Sequence, residues 1–385
     1  MRKYSLSFLK RGNANLLFNC IREKGPLTRA ELSRITGLTP STVSYITSVL
    51  IDKGILIELG TEKTNRVGKK GILLDINYDK FLFIGYDVGS AFTRIAVCNG
   101  RSEILTIKRL KTQRGEKLIQ QITDNILKVI SDFKITGIGM AFPGHVDPEN
   151  KTVIRSHNLN LKSANITQIV EEKFGIPTFI DHNVAIMARA KMFLNPSSKE
   201  NFVMINLGLG VGAAFVHEGK IYRGKNFVAP EVGHLLVNPN GRRCNCGKIG
   251  CLETEASSAA IVKNYEELSG VEVLDKSNSK YVYGLAKEGD ESAIKAFQRA
   301  GKYLGIAVGN LVNILNPAVV YIAGGVSGGW EFIKDTFWEF YKENTFYASK
   351  DIPVKLLPMK EEITAVGAAA YAFEKYIRSE IIRKV

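Results

Sequence analysis

Cysteine and long apolar runs are both scarce in this chain. Five cysteines occur in 385 residues, and two of them, Cys20 and Cys98, stand alone, which does not suit the disulfide framework of a secreted protein. The basic N-terminus lacks the apolar run of roughly 7–15 residues that a signal peptide needs. The most apolar stretch, residues 202–216, is Gly-rich and shorter than the roughly 20 residues of a membrane span. These absences predict a protein of the reducing cytoplasm with no membrane segment.

Positive charge is concentrated at the N-terminal end of an otherwise ordinary globular composition. The length predicts two or three domains. The net charge is +14, and residues 1–80 hold 14 Lys and Arg against 7 Asp and Glu. This asymmetry indicates a polyanionic partner for the N-terminal end. A merely solvated basic surface is the alternative, and charge by itself does not decide between them.

Two short predicted helices near the N-terminus are joined by a tight turn. The first opens with a capping box, in which Thr28 can cap the amide of Glu31 and Glu31 can reach back. Gly37 supplies a left-handed stop. The second helix follows Thr39 as N-cap, with Pro40 at its first position. This arrangement is typical of a helix-turn-helix motif.

The second helix has an apolar face and a polar face. Its predicted buried stripe consists of Val43, Ile46, Val49 and Leu50. The opposite face carries side chains that can bond base edges or phosphates, namely Ser41, Thr42, Ser44 and Tyr45. Two strands follow, at residues 55–59 and 72–76, and the loop between them has the basic residues Lys63, Arg66, Lys69 and Lys70. Together these features predict a winged helix-turn-helix DNA-binding domain over residues 1–78, with a helical packing domain carrying a hairpin as the alternative.

From Phe81 onward, predicted strands and helices alternate. Residues 81–98 and 202–221 each read as strand, glycine turn and strand. A single Gly-rich turn is weak evidence, because glycines also serve tight hairpins without any ligand. Two such turns about 120 residues apart indicate a duplicated architecture with a cleft between its halves, in which the turns can hold phosphates through backbone amides.

A cluster of metal-binding side chains lies within residues 230–253. One imidazole and three thiols have the composition of a closed tetrahedral zinc site, and they belong to His234, Cys244, Cys246 and Cys251. The Cys-x-Cys spacing differs from the Cys-x-x-Cys of redox catalysts, and three free thiols in a loop are the alternative. A structural zinc here would fix the loop that holds Glu231 and Glu253, whose carboxylates are well placed to bind hydroxyl groups.

The stretch EVGH…CNCGKIGCLE resembles the signature of the ROK family, whose members are repressors and sugar kinases sharing the actin–hexokinase fold. Further stretches are similar to successive family motifs in the same order: DVG (87–89), FPGHVD (142–147), IPTFIDHNVAIMA (176–188), GLGVGAAF (208–215) and GNLVNILNPAVVYIAGGV (309–326). The resemblance covers about residues 80–375, and the leading winged helix is similar to the repressor branch, of the xylose or N-acetylglucosamine repressor type.

The resemblance implies an α/β fold of two parts. The winged helix-turn-helix of residues 1–78 would be followed, over residues 79–385, by a two-lobed, duplicated, ribonuclease H-like domain of the actin/hexokinase type. The smaller lobe would span about residues 79–182 plus the C-terminal helix. The larger lobe would span about residues 183–360 and contain the zinc site.

The resemblance also implies roles for individual residues. The metal ligands would hold a structural zinc, with His234 also touching a sugar hydroxyl. The other residues similar to family sugar contacts are Gly144, Asn158, Glu231 and Glu253. His182 and Asn183 fall where kinases of the family carry Asn-Asp.

Three departures from the family pattern indicate that kinase activity is lost. Asn183 replaces the aspartate base, and an amide cannot accept the proton of an attacking hydroxyl. Ala91 and Leu209 replace threonines of the two phosphate turns. The sequence therefore predicts a sensor that binds sugar without phosphorylating it, with ordinary drift in a working kinase as the alternative.

The function expected from the sequence is that of a sugar-responsive transcriptional repressor. Its partners would be operator DNA and a sugar, it would act as a homodimer or homotetramer, and sugar would lower operator affinity. Two alternatives remain. One is an active ATP-dependent sugar kinase with an accessory DNA-binding domain, and the other is a DNA-binding protein controlled by a protein partner.

Overall fold

The structure is a computed structural model that describes residues 6–61, 71–194, 200–275, 278–357 and 361–381. It divides into two compact units. The first unit runs to Ser198 and resumes at Glu362, and the second runs from Lys199 to Glu361. The four basic residues predicted in the wing loop, Lys63, Arg66, Lys69 and Lys70, lie outside the described residues.

The first unit begins with a winged helix. Its elements are α1 (Leu6–Lys24), β1 (Leu27–Thr28), α2 (Arg29–Thr36), α3 (Pro40–Asp52), β2 (Leu56–Thr61) and β3 (Ile72–Ile76). The described parts of β1, β3 and β2 form an antiparallel sheet in that order, with Thr28 paired to Leu73. The hairpin predicted from the sequence is therefore confirmed, and β1 joins it as a third strand.

The predicted helix starts are confirmed in detail. The Glu31 amide donates to Thr28 Oγ1 at 3.2 Å, and the Thr28 amide donates to Glu31 Oε2 at 2.8 Å, which closes the capping box. Gly37 ends α2 with φ of 70°, and Thr39 caps α3. These contacts set both ends of the turn between the two helices.

The buried face of α3 differs at one position from the expected stripe. Thr47 is fully buried, whereas Val49 is half-buried. The Thr47 hydroxyl donates to the Val43 carbonyl at 2.8 Å and accepts from Arg29 Nε at 3.1 Å. A threonine can be buried here because both hydrogen-bonding functions of its hydroxyl are used.

The rest of the first unit up to residue 194 is a sheet with helices and a small side sheet. Its elements are β4 (Leu82–Val88), β5 (Phe92–Asn99), β6 (Ile104–Lys111), α4 (Glu116–Asp132), β7 (Ile135–Phe142), β8 (His145–Asp147), β9 (Thr152–Ser156), β10 (Leu161–Ala164), α5 (Ile166–Phe174), β11 (Thr178–His182) and α6 (Asn183–Leu194).

The second unit contains another sheet and the loop with the four predicted metal ligands. Its elements are β12 (Phe202–Leu207), β13 (Val211–His217), β14 (Lys220–Tyr222), α7 (Leu252–Ala256), α8 (Ser258–Ser269), α9 (Lys280–Lys287), α10 (Glu291–Leu315), β15 (Val319–Ala323), α11 (Trp330–Asn344) and β16 (Val354–Leu356). The chain then returns to the first unit as α12 (Ile363–Tyr376), followed by a π-helical turn at Ile377–Ile381.

The two main sheets have the same topology in the parts of the chain that the structure describes. Their orders are β6-β5-β4-β7-β11 and β14-β13-β12-β15-β16. In each, the first three strands are antiparallel and the last two are added in parallel. This repetition confirms the duplicated α/β fold. Within the described residues, no helix is long and apolar enough to cross a membrane.

The boundary between the units lies later than the expected division at residue 183. Helix α6 belongs to the first unit because it packs on α12. A Cβ added at Gly367 of α12 would lie 2.8 Å from Ala190 Cβ, and Arg189 of α6 reaches Glu374 of α12 at 3.6 Å. The winged helix also belongs to this unit, since one hydrophobic cluster contains side chains of α1, α3 and α12.

Helix α12 lies directly on the sheet of the first unit. A Cβ at Gly85 of β4 would collide with the Ala365 carbonyl, and one at Gly139 of β7 would collide with the Ala368 carbonyl. The ring of Phe373 meets that of Phe83 edge-on, with centroids 5.7 Å apart. The absence of two side chains therefore allows the helix backbone to touch the strands.

Replacing Gly139 by alanine is expected to destabilise the protein by at least about 1–3 kcal/mol, because the new methyl group meets backbone that cannot move aside. Thermal unfolding followed by circular dichroism measures the effect. The matched control is Gly284→Ala, at an exposed position of α9 where a Cβ meets nothing within 4 Å. The control should be neutral or stabilising by up to about 1 kcal/mol. Equal melting temperatures for the two variants would contradict the packing argument.

Candidate functional site

Helix α3 presents its polar face to solvent. Ser41, Ser44 and Tyr45 are exposed, whereas Thr42 is half-buried and donates its amide to Thr39 Oγ1 at 3.3 Å. In helix-turn-helix motifs, side chains at these positions of the second helix contact bases and phosphates. The exposed hydroxyl groups of α3 are therefore suitably placed for such contacts.

The structure adds a cation to this face that the sequence analysis did not single out. Lys10 of α1 lies over the ring of Tyr45, with Nζ 5.0 Å from the ring centroid. The sequence signal for it was the excess of basic residues at the N-terminus, but the contact depends on how α1 crosses α3. Lys10 is therefore a further candidate for contact with phosphate.

The four predicted metal ligands come together in the second unit. The ligand atoms of His234, Cys244, Cys246 and Cys251 lie within 4.8 Å of one another. Cys244 Sγ is 3.6 Å from His234 Nδ1, and Cys246 Sγ is 3.6 Å from Cys251 Sγ. Ligands about 2.3 Å (sulfur) and about 2.0–2.1 Å (nitrogen) from a tetrahedral ion lie roughly 3.5–3.8 Å apart. These two separations match a tetrahedral site, and all four ligand atoms are close enough to surround one ion.

Short backbone contacts bring the thiols together. The Cys244 amide donates to the Lys248 carbonyl at 2.7 Å, and the Gly247 amide donates to the Cys244 carbonyl at 2.9 Å. Gly247 has φ of 93°, which favours glycine. A hydrogen bond from the Lys248 backbone lowers the pKa of Cys246, whereas burial raises the pKa of Cys251 to about 12. A bound cation would favour the thiolate form at each of these positions.

A buried carboxylate that the sequence analysis did not identify holds the loop in place. Glu255 is fully buried and accepts from Asn238 Nδ2 at 3.1 Å. Its Oε2 is 3.1 Å from Arg299 Nη2 and 3.8 Å from Arg242 Nη2. Both arginines also pair with Glu267. Because Asn238 and Arg242 precede the cysteines, this network fixes the cysteine-containing loop to α7, α8 and α10.

The two glutamates predicted to bind sugar lie on either side of the ligand set in sequence. Glu231 Oε2 is 3.9 Å from His234 Nε2, so the imidazole faces Cys244 with one nitrogen and a carboxylate with the other. At this separation the two groups are near one another without being hydrogen-bonded, so Glu231 is a nearby acidic partner of the imidazole. Glu253 instead accepts the Val211 amide at 3.1 Å, which ties it to the second glycine turn.

The predicted sugar contacts of the first unit lie at or near one edge of its sheet. His182 pairs with Phe142 at the carboxyl ends of parallel strands β11 and β7, and Gly144 follows β7 with φ of 98°. Asn158 is exposed in the turn after β9. Asn183 begins α6, and its Oδ1 accepts the Val184 amide at 2.8 Å. The carboxyl edge of parallel strands is where ligands bind in open α/β sheets.

The first glycine turn starts from a buried acid. Asp87 lies near the same edge, close to the end of β4, where it is paired with Ala141 of β7. Its Oδ2 is 3.4 Å from Arg94 Nη1. Burial raises the pKa of Asp87 to about 6, although the Arg94 charge acts in the opposite direction. Ala91 in this turn and Leu209 in the second turn have no hydroxyl group to offer a phosphate.

Comparisons with known proteins agree with this architecture. The ROK family model matches residues 83–375, and a winged helix-turn-helix DNA-binding model matches residues 16–57. The chain is 29% identical to the xylose repressor of Caldicellulosiruptor bescii, over 94% of this chain and 96% of that protein.

Two solved structures show the same fold. One is a ROK family transcriptional regulator described as a homologue of the E. coli MLC protein, with a TM-score of 0.84, 23% identity, and coverage of 98% of this chain and 100% of that chain. The other is a ROK family glucokinase from Streptomyces griseus in complex with glucose and AMPPNP, with a TM-score of 0.68, 23% identity, and coverage of 76% and 99%. The expected order of a winged helix followed by a ROK domain is confirmed.

Replacing Asp87 by asparagine is expected to stabilise the protein more at about pH 7.5 than at about pH 4.5. Folding raises this pKa from 3.8 to about 6, so the stability contributed by the protonated group is complete below about pH 4 and is lost as the pH rises through 6. The difference between the two conditions should be roughly 2 kcal/mol, because part of the contribution is already lost at pH 4.5, above the unfolded-state pKa of 3.8. Melting temperatures of both proteins at each pH provide the measurement.

The control for this variant is Asp132→Asn, which removes a carboxylate at an exposed position of α4. The melting temperature of Asp87→Asn is compared with that of the native protein at each pH. If this difference is the same at both pH values, burial does not raise the pKa of the Asp87 carboxyl group as described.

Proposed function

Because the chain belongs to the ROK family, whose model covers residues 83–375, we propose that it is a sugar-responsive transcriptional repressor. The observation that carries the proposal is the exposed hydroxyl face of α3, with Ser41, Ser44 and Tyr45, on a winged helix attached to a ROK domain. The resemblance to a xylose repressor over nearly the whole of both chains supports the same function. The protein is proposed to work in the cytoplasm, where its DNA lies.

DNA binding follows from the placement of α3 and its neighbours. The N-terminal half of α3 enters the major groove, where Ser41, Thr42, Ser44 and Tyr45 contact base edges and phosphates. Lys10 adds a phosphate contact beside Tyr45. A homodimer, or a homotetramer built from dimers, presents two such helices to half-sites about one helical turn, or a multiple of it, apart. The wing residues Arg66, Lys69 and Lys70 are proposed to contact the backbone.

The effector is proposed to be a neutral sugar. Its hydroxyl groups are bound in the second unit by Glu231, His234 and Glu253, whose carboxylates accept hydrogen bonds. The contacts proposed in the first unit are Gly144, Asn158, His182 and Asn183. Because the relative from Caldicellulosiruptor bescii is a xylose repressor, a pentose is the first sugar to test. Sugar lowers operator affinity only through a difference in its affinity for the DNA-binding and the released states.

Zinc is the metal that the donor set fits best. One imidazole and three thiolates at tetrahedral spacing suit Zn²⁺, and four protein ligands leave no open position for catalysis. When bound, the ion supplies structural cross-linking. Through its ligand His234 it also fixes the position of the Glu231 carboxylate.

Phosphoryl transfer is proposed to be absent. Asn183 occupies the position of the base, and the nearby Asp181 is fully buried with Arg189 Nε 3.6 Å from its Oδ2. Asp87 is held by Arg94, and the Val211 amide of the second glycine turn is already bonded to Glu253. An active sugar kinase with an accessory DNA-binding domain is the competing function, and release of ADP from Mg-ATP in the presence of sugar would establish it.

The native protein is expected to enrich a few palindromic fragments from sheared genomic DNA, and a pool of D-xylose, D-glucose and N-acetyl-D-glucosamine should abolish that enrichment. Sequencing of the captured DNA with and without sugar is the measurement. The double variant Ser44→Ala, Tyr45→Ala should lose the enrichment, since each base contact contributes about 1–3 kcal/mol.

Two controls accompany this experiment. Ser131→Ala, Tyr347→Ala removes the same chemical groups from exposed positions outside the winged helix and should leave enrichment intact. Glu231→Ala should still capture the fragments but should not release them with sugar. No enrichment by the native protein, with or without sugar, would contradict the DNA-binding function.

Purified protein is expected to contain one zinc per chain, and Cys246→Ser should contain substantially less, because three ligands bind zinc more weakly than four. Elemental analysis by mass spectrometry measures the content, and melting temperature reports the structural effect. Cys20→Ala removes a thiol from α1 and should retain the metal. A Cys246→Ser variant with undiminished zinc would contradict the assignment of this ligand.

A further inference from the structure

Arg189 of α6 lies between two carboxylates that belong to different elements. Its Nε is 3.6 Å from Asp181 Oδ2 at the end of β11, and its Nη1 is 3.6 Å from Glu374 Oε2 on α12. The side chain of Asp181 is fully buried, and those of Arg189 and Glu374 are 21% and 22% exposed. Charges so little exposed interact more strongly than charges in water. A change at one carboxylate therefore acts on the arginine and, through it, on the other.

Both distances exceed the length of a closed charge-assisted hydrogen bond, which is about 2.7–2.9 Å. Arg189 is thus close to both carboxylates at equal distance. A guanidinium presents a rigid fork that can bond a carboxylate with two parallel hydrogen bonds. A small displacement of Asp181 relative to Glu374 therefore changes how closely the guanidinium approaches each of the two carboxylates.

One end of the triad is adjacent to the proposed sugar contacts. Asp181 immediately precedes His182 and Asn183, and its Oδ1 accepts the His182 amide at 2.8 Å. The side chain of Asn183 is bonded to the first turn of α6, the helix that carries Arg189. A sugar that draws His182 or Asn183 toward itself must move Asp181 or α6 as well.

The other end is adjacent to the winged helix. Phe373 precedes Glu374 on α12, and its ring lies 6.2 Å from that of Phe18 on α1. Although burial raises the pKa of Glu374, neighbouring guanidinium groups, with Arg22 of α1 among them, hold it below its ordinary value. The winged helix therefore interacts with α12 in two ways. Phe18 packs against Phe373, and the charge of Arg22 acts electrostatically on Glu374.

We propose that Asp181, Arg189 and Glu374 transmit sugar occupancy from the β11–α6 junction to the winged helix, with Arg189 as the positioning residue of this coupling. The inference rests on the proposed repressor function and adds the route by which sugar changes operator affinity. Arg189 contacts neither sugar nor DNA in this scheme. Its loss changes the dependence of one binding event on the other, and by linkage the effect is the same in both directions.

The test compares Arg189→Gln with the native protein on the most strongly enriched genomic fragment. Operator affinity is measured without sugar and at saturation with whichever of D-xylose, D-glucose and N-acetyl-D-glucosamine releases the native protein, and calorimetry gives the affinity for that sugar. In the variant, both separate affinities should stay within about twofold of native. The weakening of operator binding by sugar, roughly 5- to 150-fold in coupled systems, should fall to less than about twofold.

Arg378→Gln is the matched control. Arg378 Nη2 bonds the other oxygen of Glu374 at 3.0 Å, so this variant removes the same kind of charge from the same carboxylate while the Asp181–Arg189–Glu374 triad stays intact. It should keep the native response to sugar. Equal loss of response in both variants would overturn the proposal, because it would reflect only the destabilisation of Glu374.

Arg189→Lys keeps the positive charge and serves if Arg189→Gln fails to fold. A lysine ammonium cannot present a fork to two carboxylates, so its response to sugar should be reduced. A full native response in Arg189→Gln, or in Arg189→Lys where the first variant does not fold, would overturn the relay and leave the repressor function standing. A native protein whose operator binding is unaffected by all three sugars would overturn the repressor function and, with it, the relay.

Discussion

The close contact between helix α12 and strands β4 and β7 is the constraint on which the first unit depends. Gly85 and Gly139 have no Cβ atoms, so the helix backbone can lie against the sheet. Once α12 is held there, its remaining surface is available to α6 and to α1. Three parts of the chain that are distant in sequence are thereby assembled around one helix that arrives near the end of the chain. The winged helix is consequently part of a larger core and shares its packing.

The second unit is organised around polar interactions as well as a hydrophobic core. The four predicted metal ligands come together in the loop that follows Glu231, and the Glu255 network contacts the same loop through Asn238 and Arg242. Buried charges of this kind require partners, because an unpaired carboxylate in a protein interior is costly. The loop is therefore held by the ion pairs of the Glu255 network, and a metal bound by the four predicted ligands would fix it further.

Local signals in the sequence predicted the features that depend on neighbouring residues. The Thr28–Glu31 capping box, the Gly37 stop and the clustering of three cysteines with His234 all follow from short spacings, and the structure contains each of them. The repeated strand–glycine–strand pattern predicted the duplicated sheets for the same reason.

Features that depend on tertiary packing could not be predicted in this way. The membership of α6 in the first unit, the contact of Lys10 with Tyr45, and the position of Arg189 between two carboxylates all arise where distant segments meet. The burial of Thr47 in place of Val49 also depends on a partner, Arg29, from the preceding helix.

Thr28 has a consequence for how the winged helix moves. The residue is the last of β1, the N-cap of α2 and the cross-strand partner of Leu73 in β3. A single residue therefore joins the helix-turn-helix to the strand that leads out of the wing. The two cannot hinge independently at this junction, since rotation of α2 would break either the cap or the strand pairing. Through Thr28, a displacement of α2 is therefore coupled to strand β3.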